Sequence, residues 1–159
     1  MQQFKIVPLT EAYAAKIRAA QKDDLGHAVV EQLATGKGPC RVSLQPFEVG
    51  VDERLLIAHS PFEMDNAFNQ PGPIFIHKKE VEAYKDVHRF PPAIKADKKS
   101  FPLSLIGYSN EQQMVFTQLV GEDDVDELIV KIFETQPKVA YLHARNAEAC
   151  CFICKIERV

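Results

Sequence analysis

Residues 138–158, KVAYLHARNAEACCFICKIER, decide the fold expected for this chain. Both ends of this stretch are rich in the apolar, β-branched and aromatic residues that favour strands. The short polar sequence NAEA lies between them and has the length of an ordinary hairpin loop. The stretch therefore predicts a terminal β-hairpin, and the rest of the fold is expected to be built around it.

The first strand of this hairpin carries an unusual set of polar side chains. Side chains alternate between the two faces of a strand, so Ala140, Leu142 and Ala144 share one face. Because this face is apolar, we expect it to contact the core. The opposite face carries Tyr141, His143 and Arg145. A histidine beside an arginine is typical of a binding site, although the same pair can serve a structural hydrogen-bond network. From the sequence, both interpretations stay open.

The second strand contains the sequence Cys151-Phe-Ile-Cys154, which has the spacing of some metal and redox sites. On a strand, however, positions 151 and 154 point to opposite faces, so the two sulfur atoms are not expected to act together. We expect instead that alternate residues pack as apolar side chains on one face, namely Cys150, Phe152, Cys154 and Ile156. No metal site and no cofactor are predicted.

The rest of the chain alternates strand and helix patterns. Further strands are expected at 4–7, 40–44, 53–62 and 74–77, and as a hairpin formed by 103–109 and 114–121. Helices are expected at 11–21 (with Thr10 as N-cap), 24–34, 79–88 and 122–135. Residues 89–102 are expected to be irregular, because they combine prolines with charged residues.

Hairpins dominate this order of elements. It therefore predicts an α+β fold, with a mostly antiparallel sheet of about seven strands partly covered by about three or four helices. The helix at 122–135 separates two strands and is expected to make one parallel crossover. With 159 residues, the chain is expected to form a single domain over residues 1–159.

Composition and charge narrow the class of function. Hydrophobic residues make up 46% and charged residues 26%, as in ordinary globular proteins. The formal net charge of -3 gives no basic field that would attract nucleic acid or an anionic membrane, so neither is a predicted partner. We find no apolar run of about 18 residues and no signal peptide, since the N-terminus turns polar almost at once. A cytoplasmic protein with reduced thiols is therefore expected.

Three stretches carry arginine or histidine on or beside expected strands, and a Gly-Pro pair begins two of them. They are GPCR at 38–41, GPIFIH at 72–77 and YLHARN at 141–146. Arginine offers a planar fork that matches carboxylate or phosphate, and histidine can donate or accept a proton near neutral pH. If the three stretches converge, they form a pocket for a small anionic ligand, lined by Arg41, His77, Tyr141, His143, Arg145 and Asn146.

Catalytic roles stay undetermined in this interpretation. The candidates are Cys40, His77 and His143, because a thiol activated by a neighbouring imidazole is a common nucleophile. Each has a structural alternative: the cysteine as a packing residue, and the histidines as hydrogen-bonded side chains of the strands. The two arginines can likewise pair with acidic residues on neighbouring strands. No role is assigned to the remaining histidines, which are His27, His59 and His88.

The same stretches, in the same order, resemble the bacterial domain of unknown function 1203 family. The resemblance rests on GPCR, on SPF at 60–62, on GPIFIH, on YLHARN and on a closing ER at 157–158, and it extends over nearly the whole chain. It implies a one-domain protein of bacterial type and brings no activity with it. Family members often carry cysteines where this chain has Ser43 and Val81, so chemistry based on those cysteines is not expected here.

Three classes of function therefore stay open. The first is a pocket that binds a small anionic metabolite. The second is a non-enzymatic interaction domain, whose partner surface would lie on 61–73 and 89–102, because both mix aromatic with turn residues. The third is a thiol hydrolase or transferase built on Cys40, which requires a histidine within hydrogen-bond reach of the sulfur. The oligomeric state is also open, a homo-oligomer being one alternative.

Overall fold

The computed structural model describes residues 3–159. Over these residues the chain forms eight strands and three helices. In chain order they are β1 (Phe4–Val7), α1 (Glu11–Ala20), β2 (Val30–Leu33), β3 (Glu53–His59), β4 (Gly72–His77), α2 (Pro92–Lys95), β5 (Leu103–Tyr108), β6 (Met114–Leu119), α3 (Val125–Thr135), β7 (Tyr141–Asn146) and β8 (Phe152–Arg158). Among the described residues, none of the helices has the length and hydropathy that crossing a membrane requires.

The strands divide into two antiparallel sheets and not one. The larger has five strands in the order β1-β8-β7-β5-β6, and the smaller has three in the order β2-β3-β4. Strands β6 and β7 both run antiparallel to β5, so they run parallel to each other, and α3 connects them. The predicted α+β fold is confirmed, and so is the parallel crossover at this helix.

The larger sheet buries its core against α3. This helix begins after Asp124, whose side chain accepts a hydrogen bond from the amide of Glu127, and apolar residues recur along one side of it. Its buried residues are Val125, Ile129, Ile132 and Phe133. They share one apolar cluster with residues of β5 and β7, among them Leu105, Leu142 and Ala144. The prediction that Leu142 and Ala144 contact the core is confirmed.

The smaller sheet packs against α1. Thr10 caps this helix through a hydrogen bond of 3.0 Å from the Tyr13 amide to its hydroxyl oxygen, as the sequence predicts. The buried residues of α1, Ala14 and Ile17, share a second apolar cluster with β3 and β4. The two sheets meet where β4 contacts β8. Each sheet therefore has its own core, and a site built from both must lie along this contact.

The prediction of a helix at 24–34 is wrong. Asp23 holds a turn where this helix would begin, because its carboxylate accepts hydrogen bonds from the amides of Leu25, His27 and Ala58. Gly26 within the turn has φ +81°, a left-handed conformation that helix interiors do not contain. The residues that follow pair with β3 as strand β2. The side chains of Leu25 and Leu33, which such a helix would turn inward, are 49% and 51% exposed.

Residues 40–44 form a turn and not the expected strand. The backbone of Cys40 makes a single parallel bridge to Phe75 of β4, and the chain then turns back through a hydrogen bond from the Leu44 amide to the Cys40 carbonyl. Leu44 itself has φ +53°, which strand residues do not adopt. The turn places Arg41 between the sheets, because its amide donates to β4 and its side chain reaches β8.

Residues 79–88 form no helix either. Their backbone hydrogen bonds go to neighbouring segments: the Tyr84 amide donates to the Val42 carbonyl, and the Val87 carbonyl accepts from β1. An extended segment can make such bonds, whereas a helix would use the same groups internally. Residues 89–102 are mostly irregular, as expected, apart from the single turn of α2, which begins at the second residue of the Pro91-Pro92 pair.

The final hairpin forms as predicted, with one difference in β8. The register shifts between Ala144 and Arg145, so Phe152 lies opposite Arg145 while Cys154 lies opposite Ala144. Such a bulge turns one residue to the other face of the strand. Cys154 belongs to the core, whereas the ring of Phe152 lies 4.9 Å from that of His143 on the opposite face. The predicted apolar face is therefore wrong at Phe152, and also at the exposed Cys150.

Gly107 in β5 occupies a position where a side chain does not fit. A Cβ atom there would lie 2.8 Å from Val139 Cγ2 and 3.1 Å from Phe116 Cβ. We expect Gly107→Ala to lower the free energy of unfolding by about 1–3 kcal/mol, because these neighbours must move. Urea denaturation measures the change, with Gly36→Ala as control, since no atom of residues 3–159 lies within 4 Å of a Cβ there. Equal stability of the two variants would contradict the packing at β5.

Candidate functional site

Four aromatic rings surround the imidazole of His143, and together these five residues are called the His143 cluster. Tyr108 comes from β5, Tyr141 from β7, Phe152 from β8 and Phe62 from the segment that follows β3. The centroid of the imidazole lies 5.3 Å from that of Tyr141 and 4.9 Å from those of the other three. The cluster therefore draws on three strands of the larger sheet and on one irregular segment.

His143 is a buried, neutral imidazole. It is 0% exposed, and neither ring nitrogen has a hydrogen-bond partner among residues 3–159. Burial lowers the pKa of His143 to about 3, and the nearby Arg145, Lys155 and His59 act in the same direction. At neutral pH the ring therefore presents one N–H donor and one acceptor to its surroundings.

Arg145 lies two residues further along the same face of β7. Its Nη1 donates to the Cys150 carbonyl at 3.1 Å, whereas its Nη2 is buried and makes no hydrogen bond of ordinary geometry within the described residues. The guanidinium lies near the Tyr108 hydroxyl, where it opposes the rise that burial causes in the pKa of Tyr108. No carboxylate of residues 3–159 lies within 4.0 Å of its guanidinium nitrogens. The structural ion pair that the sequence left open for Arg145 is thus not found in this part of the chain.

Arg145 also lines a depression with a volume of about 200 Å³. The lining comes from both sheets: β3 and β4 contribute His59 and Gly72, and the β7–β8 hairpin contributes Arg145, Cys151 and Phe152. The ring of Phe152 lies 5.9 Å from that of His59 and also belongs to the His143 cluster. The depression and the His143 cluster are therefore adjacent, with Phe152 in common.

His59 lines the depression although the sequence analysis assigned it no role. The Tyr13 hydroxyl donates to Asp24 at 2.7 Å and lies 3.1 Å from His59 Nδ1. Because the Tyr13 proton goes to Asp24, this geometry favours a proton on Nδ1 of His59 and an acceptor at Nε2. Burial lowers the pKa of His59, while Asp24 opposes that effect. The signal that could have identified His59 is its place at the end of β3, directly before SPF.

Three other predicted site residues, Arg41, Tyr141 and Asn146, are engaged in hydrogen bonds within the protein. Arg41 is 3% exposed; its Nε donates to the Phe152 carbonyl at 2.7 Å and its Nη1 donates to the Pro39 carbonyl. Burial lowers the pKa of Arg41 to about 10. The Tyr141 hydroxyl donates to a glutamine of the β5–β6 turn, and Asn146 Oδ1 accepts from two amides of the β7–β8 turn. These contacts hold the two sheets and both turns in place.

His77 lies away from the other candidates. Its ring centroid is 4.7 Å from that of Phe47, and it lines a separate depression of about 460 Å³. Burial lowers the pKa of His77; Asp52 opposes this effect and Lys79 adds to it. The stretch GPIFIH therefore contributes Gly72 to the depression beside Arg145, but not its histidine. The expected convergence of all three stretches at one pocket is wrong for His77.

Cys40 does not have the surroundings that a nucleophile needs. It is 0% exposed, and its thiol makes no hydrogen bond to a histidine of residues 3–159. A nucleophilic cysteine requires both access to substrate and a base close to the sulfur. Nor does any group of three or more histidine, cysteine or acidic side chains in this range have an arrangement that could hold a metal ion.

Three of the four aromatic residues in the segments 61–73 and 89–102 pack against the rest of the protein. Phe62 belongs to the His143 cluster, while Phe90 and Phe101 are 1% and 2% exposed. Burial of these rings attaches the segments to the sheets, and a partner surface on the segments stays a prediction.

A family model described as a protein of unknown function (DUF1203) matches residues 37–158. The matched range includes every residue of the His143 cluster and also Arg145, and it begins after β2. Comparison with curated proteins and with solved structures gave no match.

Proposed function

The chain belongs to the DUF1203 family of proteins of unknown function, and from this premise we propose that it binds a small anion at Arg145. The anion is a carboxylate or a phosphate, whose geometry the guanidinium fork matches. It lies in the depression lined by Arg145 and His59.

The guanidinium of Arg145 is the observation that carries this proposal. Its buried Nη2 has no partner within residues 3–159, and a buried polar group without a partner costs about 1–3 kcal/mol. A bound anion provides both the acceptor and the counter-charge. The positive charge of Arg41 is close enough to lower the pKa of His59, so a second cation supports anion binding in the same region.

The size and the lining of the depression limit the ligand. A volume of about 200 Å³ corresponds to roughly six or seven water molecules of ~30 Å³ each, which suits a small organic acid or a phosphate. Apolar side chains also line it, among them Pro71, Ile74 and Phe152. The site is therefore expected to prefer an anion that carries an apolar group over a bare inorganic ion.

Arg145→Ala is expected to separate binding from folding. Because no described carboxylate pairs with Arg145, its truncation should change the free energy of unfolding by less than about 1 kcal/mol. Binding of acetate or phosphate should weaken by at least tenfold, about 1.4 kcal/mol, since the charged donor is lost. Titration of the ¹⁵N-labelled protein followed by NMR measures binding, and urea denaturation measures stability.

Arg89→Ala is the matched control for this experiment, because the side chain of Arg89 is 64% exposed. It should keep both the affinity and the stability of the wild type. A loss of about 3–5 kcal/mol in Arg145→Ala would show that Arg145 supports the fold, and would contradict the proposal.

A second candidate function, self-association through β6, has an observation of its own in its favour. This strand forms one edge of the larger sheet and exposes three apolar side chains, Met114, Val115 and Leu119. An exposed edge can pair with the same strand of a second copy about a two-fold axis. Size-exclusion chromatography with light scattering tests this: a dimer that Val115→Lys converts to a monomer supports it, and a monomeric wild type contradicts it.

A further inference from the structure

The His143 cluster has one ring that does not belong to the sheet. Three of its aromatic rings come from β5, β7 and β8, whereas Phe62 comes from the irregular residues 60–71, called the 60–71 segment below. The Phe62 ring lies 4.9 Å from the Tyr108 ring at an interplanar angle of 86°, and 4.9 Å from the imidazole of His143. Phe62 is therefore the ring that can leave the cluster without breaking strand pairing.

Most hydrogen bonds of the 60–71 segment lie within the segment. Ser60 Oγ donates to Asn69 Oδ1 at 2.6 Å, and the Phe68 amide donates to Asn66 Oδ1 at 2.8 Å. Its link to the β5–β6 turn, from Asn66 Nδ2 to the Gln112 carbonyl, is long at 3.3 Å. The segment can therefore move as a unit with its own hydrogen bonds kept, and the contacts of the Phe62 ring are what it gives up.

The polar side chains beneath this segment, those of His143 and Arg145, have donors and an acceptor that a ligand can match. Neutral His143 offers one donor and one acceptor, and neither has a partner among the described residues. Arg145 offers a cationic donor two residues further along the same strand, so the Cα atoms of the two residues are about 6.6 Å apart along β7. A benzene ring separates para substituents by a similar distance. A hydroxyl group, which both donates and accepts, suits the imidazole, and a carboxylate suits the guanidinium.

We infer that the ligand of this site is a hydroxylated aromatic carboxylate, whose ring replaces that of Phe62 in the His143 cluster while its carboxylate binds Arg145. The inference rests on the proposed anion site and adds the chemical class of the ligand. In the place of Phe62, the ring of the ligand packs edge-to-face against Tyr108 and lies beside the imidazole of His143, as the Phe62 ring does. Binding requires the 60–71 segment to move aside.

The test compares two carboxylates on the full-length ¹⁵N-labelled protein, 4-hydroxybenzoate and acetate. We expect 4-hydroxybenzoate to bind at least tenfold more tightly, and to shift the imidazole nitrogen resonances of His143. Phe62→Ala should tighten binding of 4-hydroxybenzoate several-fold and leave that of acetate unchanged, because only the aromatic ligand must displace the Phe62 ring. His143→Gln should reduce the preference for 4-hydroxybenzoate and keep acetate binding.

The outcomes separate this inference from the proposed function. Equal affinity for the two carboxylates in the wild type, with both lost in Arg145→Ala, would overturn the aromatic ligand and leave the anion site standing. Binding of neither carboxylate would overturn both. Tighter binding of 4-hydroxybenzoate without any change at His143 would also overturn the inference, since the ring would then lie outside the cluster. The wild-type comparison does not depend on whether the variants fold.

Discussion

Arg41→Ala is expected to lower the free energy of unfolding by about 3–5 kcal/mol, among the largest effects of any single substitution in this chain. The side chain is 3% exposed and donates from Nε to the Phe152 carbonyl at 2.7 Å and from Nη1 to the Pro39 carbonyl. Its truncation leaves two carbonyl oxygens without these donors and opens a cavity. Both effects act on the folded state alone.

The position of Arg41 in the fold explains why the loss is global. Its amide donates to the Phe75 carbonyl of β4, and its own carbonyl accepts from the amide of Leu9, which precedes α1. Its side chain reaches the backbone of β8 in the other sheet. The backbone bonds to β4 and to Leu9 remain in Arg41→Ala, whereas the side chain that reaches β8 is removed, so the truncation weakens the contact between the two cores.

Urea denaturation at pH 7 measures the effect of Arg41→Ala. Arg41→Lys provides a graded comparison, because an ammonium group keeps the charge but cannot reproduce the planar fork, and it should recover part of the loss. Arg89→Ala, at a side chain that is 64% exposed, should change the stability by less than about 0.5 kcal/mol. A loss of less than about 1 kcal/mol in Arg41→Ala would contradict the role of Arg41 as a link between the sheets.

The elements that could be predicted from the sequence are those whose signal is local. Helix α3 combines apolar residues at helical spacing with an aspartate cap, and the β7–β8 hairpin combines two strand patterns with a short polar turn. The helix expected at 24–34 has a comparable apolar pattern. It does not form because the Asp23 carboxylate also bonds the Ala58 amide, 35 residues away, and that contact cannot be read from the local pattern.

In the candidate site, too, the features with a local signal could be predicted and the long-range contacts could not. That His143 and Arg145 share a face follows from the alternation of a single strand, and it could be predicted. What lies opposite them could not, because His59 and Phe62 reach the region from β3 and from the 60–71 segment. Arg41 shows that residue type alone does not predict what a side chain binds. The sequence predicted that this arginine binds an anion, whereas its side chain donates to backbone carbonyls.

We expect the free energy of unfolding of His143→Phe to fall less at acid pH than that of the wild type. Burial lowers the pKa of His143 to about 3, while the unfolded chain keeps the ordinary value of about 6.5. Between these two values the unfolded state binds a proton that the native state does not, so stability falls as the pH is lowered through this window. At pH 4 this effect lowers the free energy of unfolding by about 3 kcal/mol, and above pH ~6.5 the effect vanishes.

Urea denaturation of the wild type and of His143→Phe, at pH 7 and at pH 4, isolates this contribution. Carboxylates and other histidines titrate in both proteins, so the difference between the two acid-induced losses reports His143. The wild type should lose about 3 kcal/mol more than His143→Phe. Arg89→Ala, at a side chain that is 64% exposed, is the control and should keep the acid sensitivity of the wild type. Equal losses in the wild type and His143→Phe would mean that the imidazole is protonated in the native state, and a protonated ring in that cluster would require a partner that its aromatic neighbours do not supply.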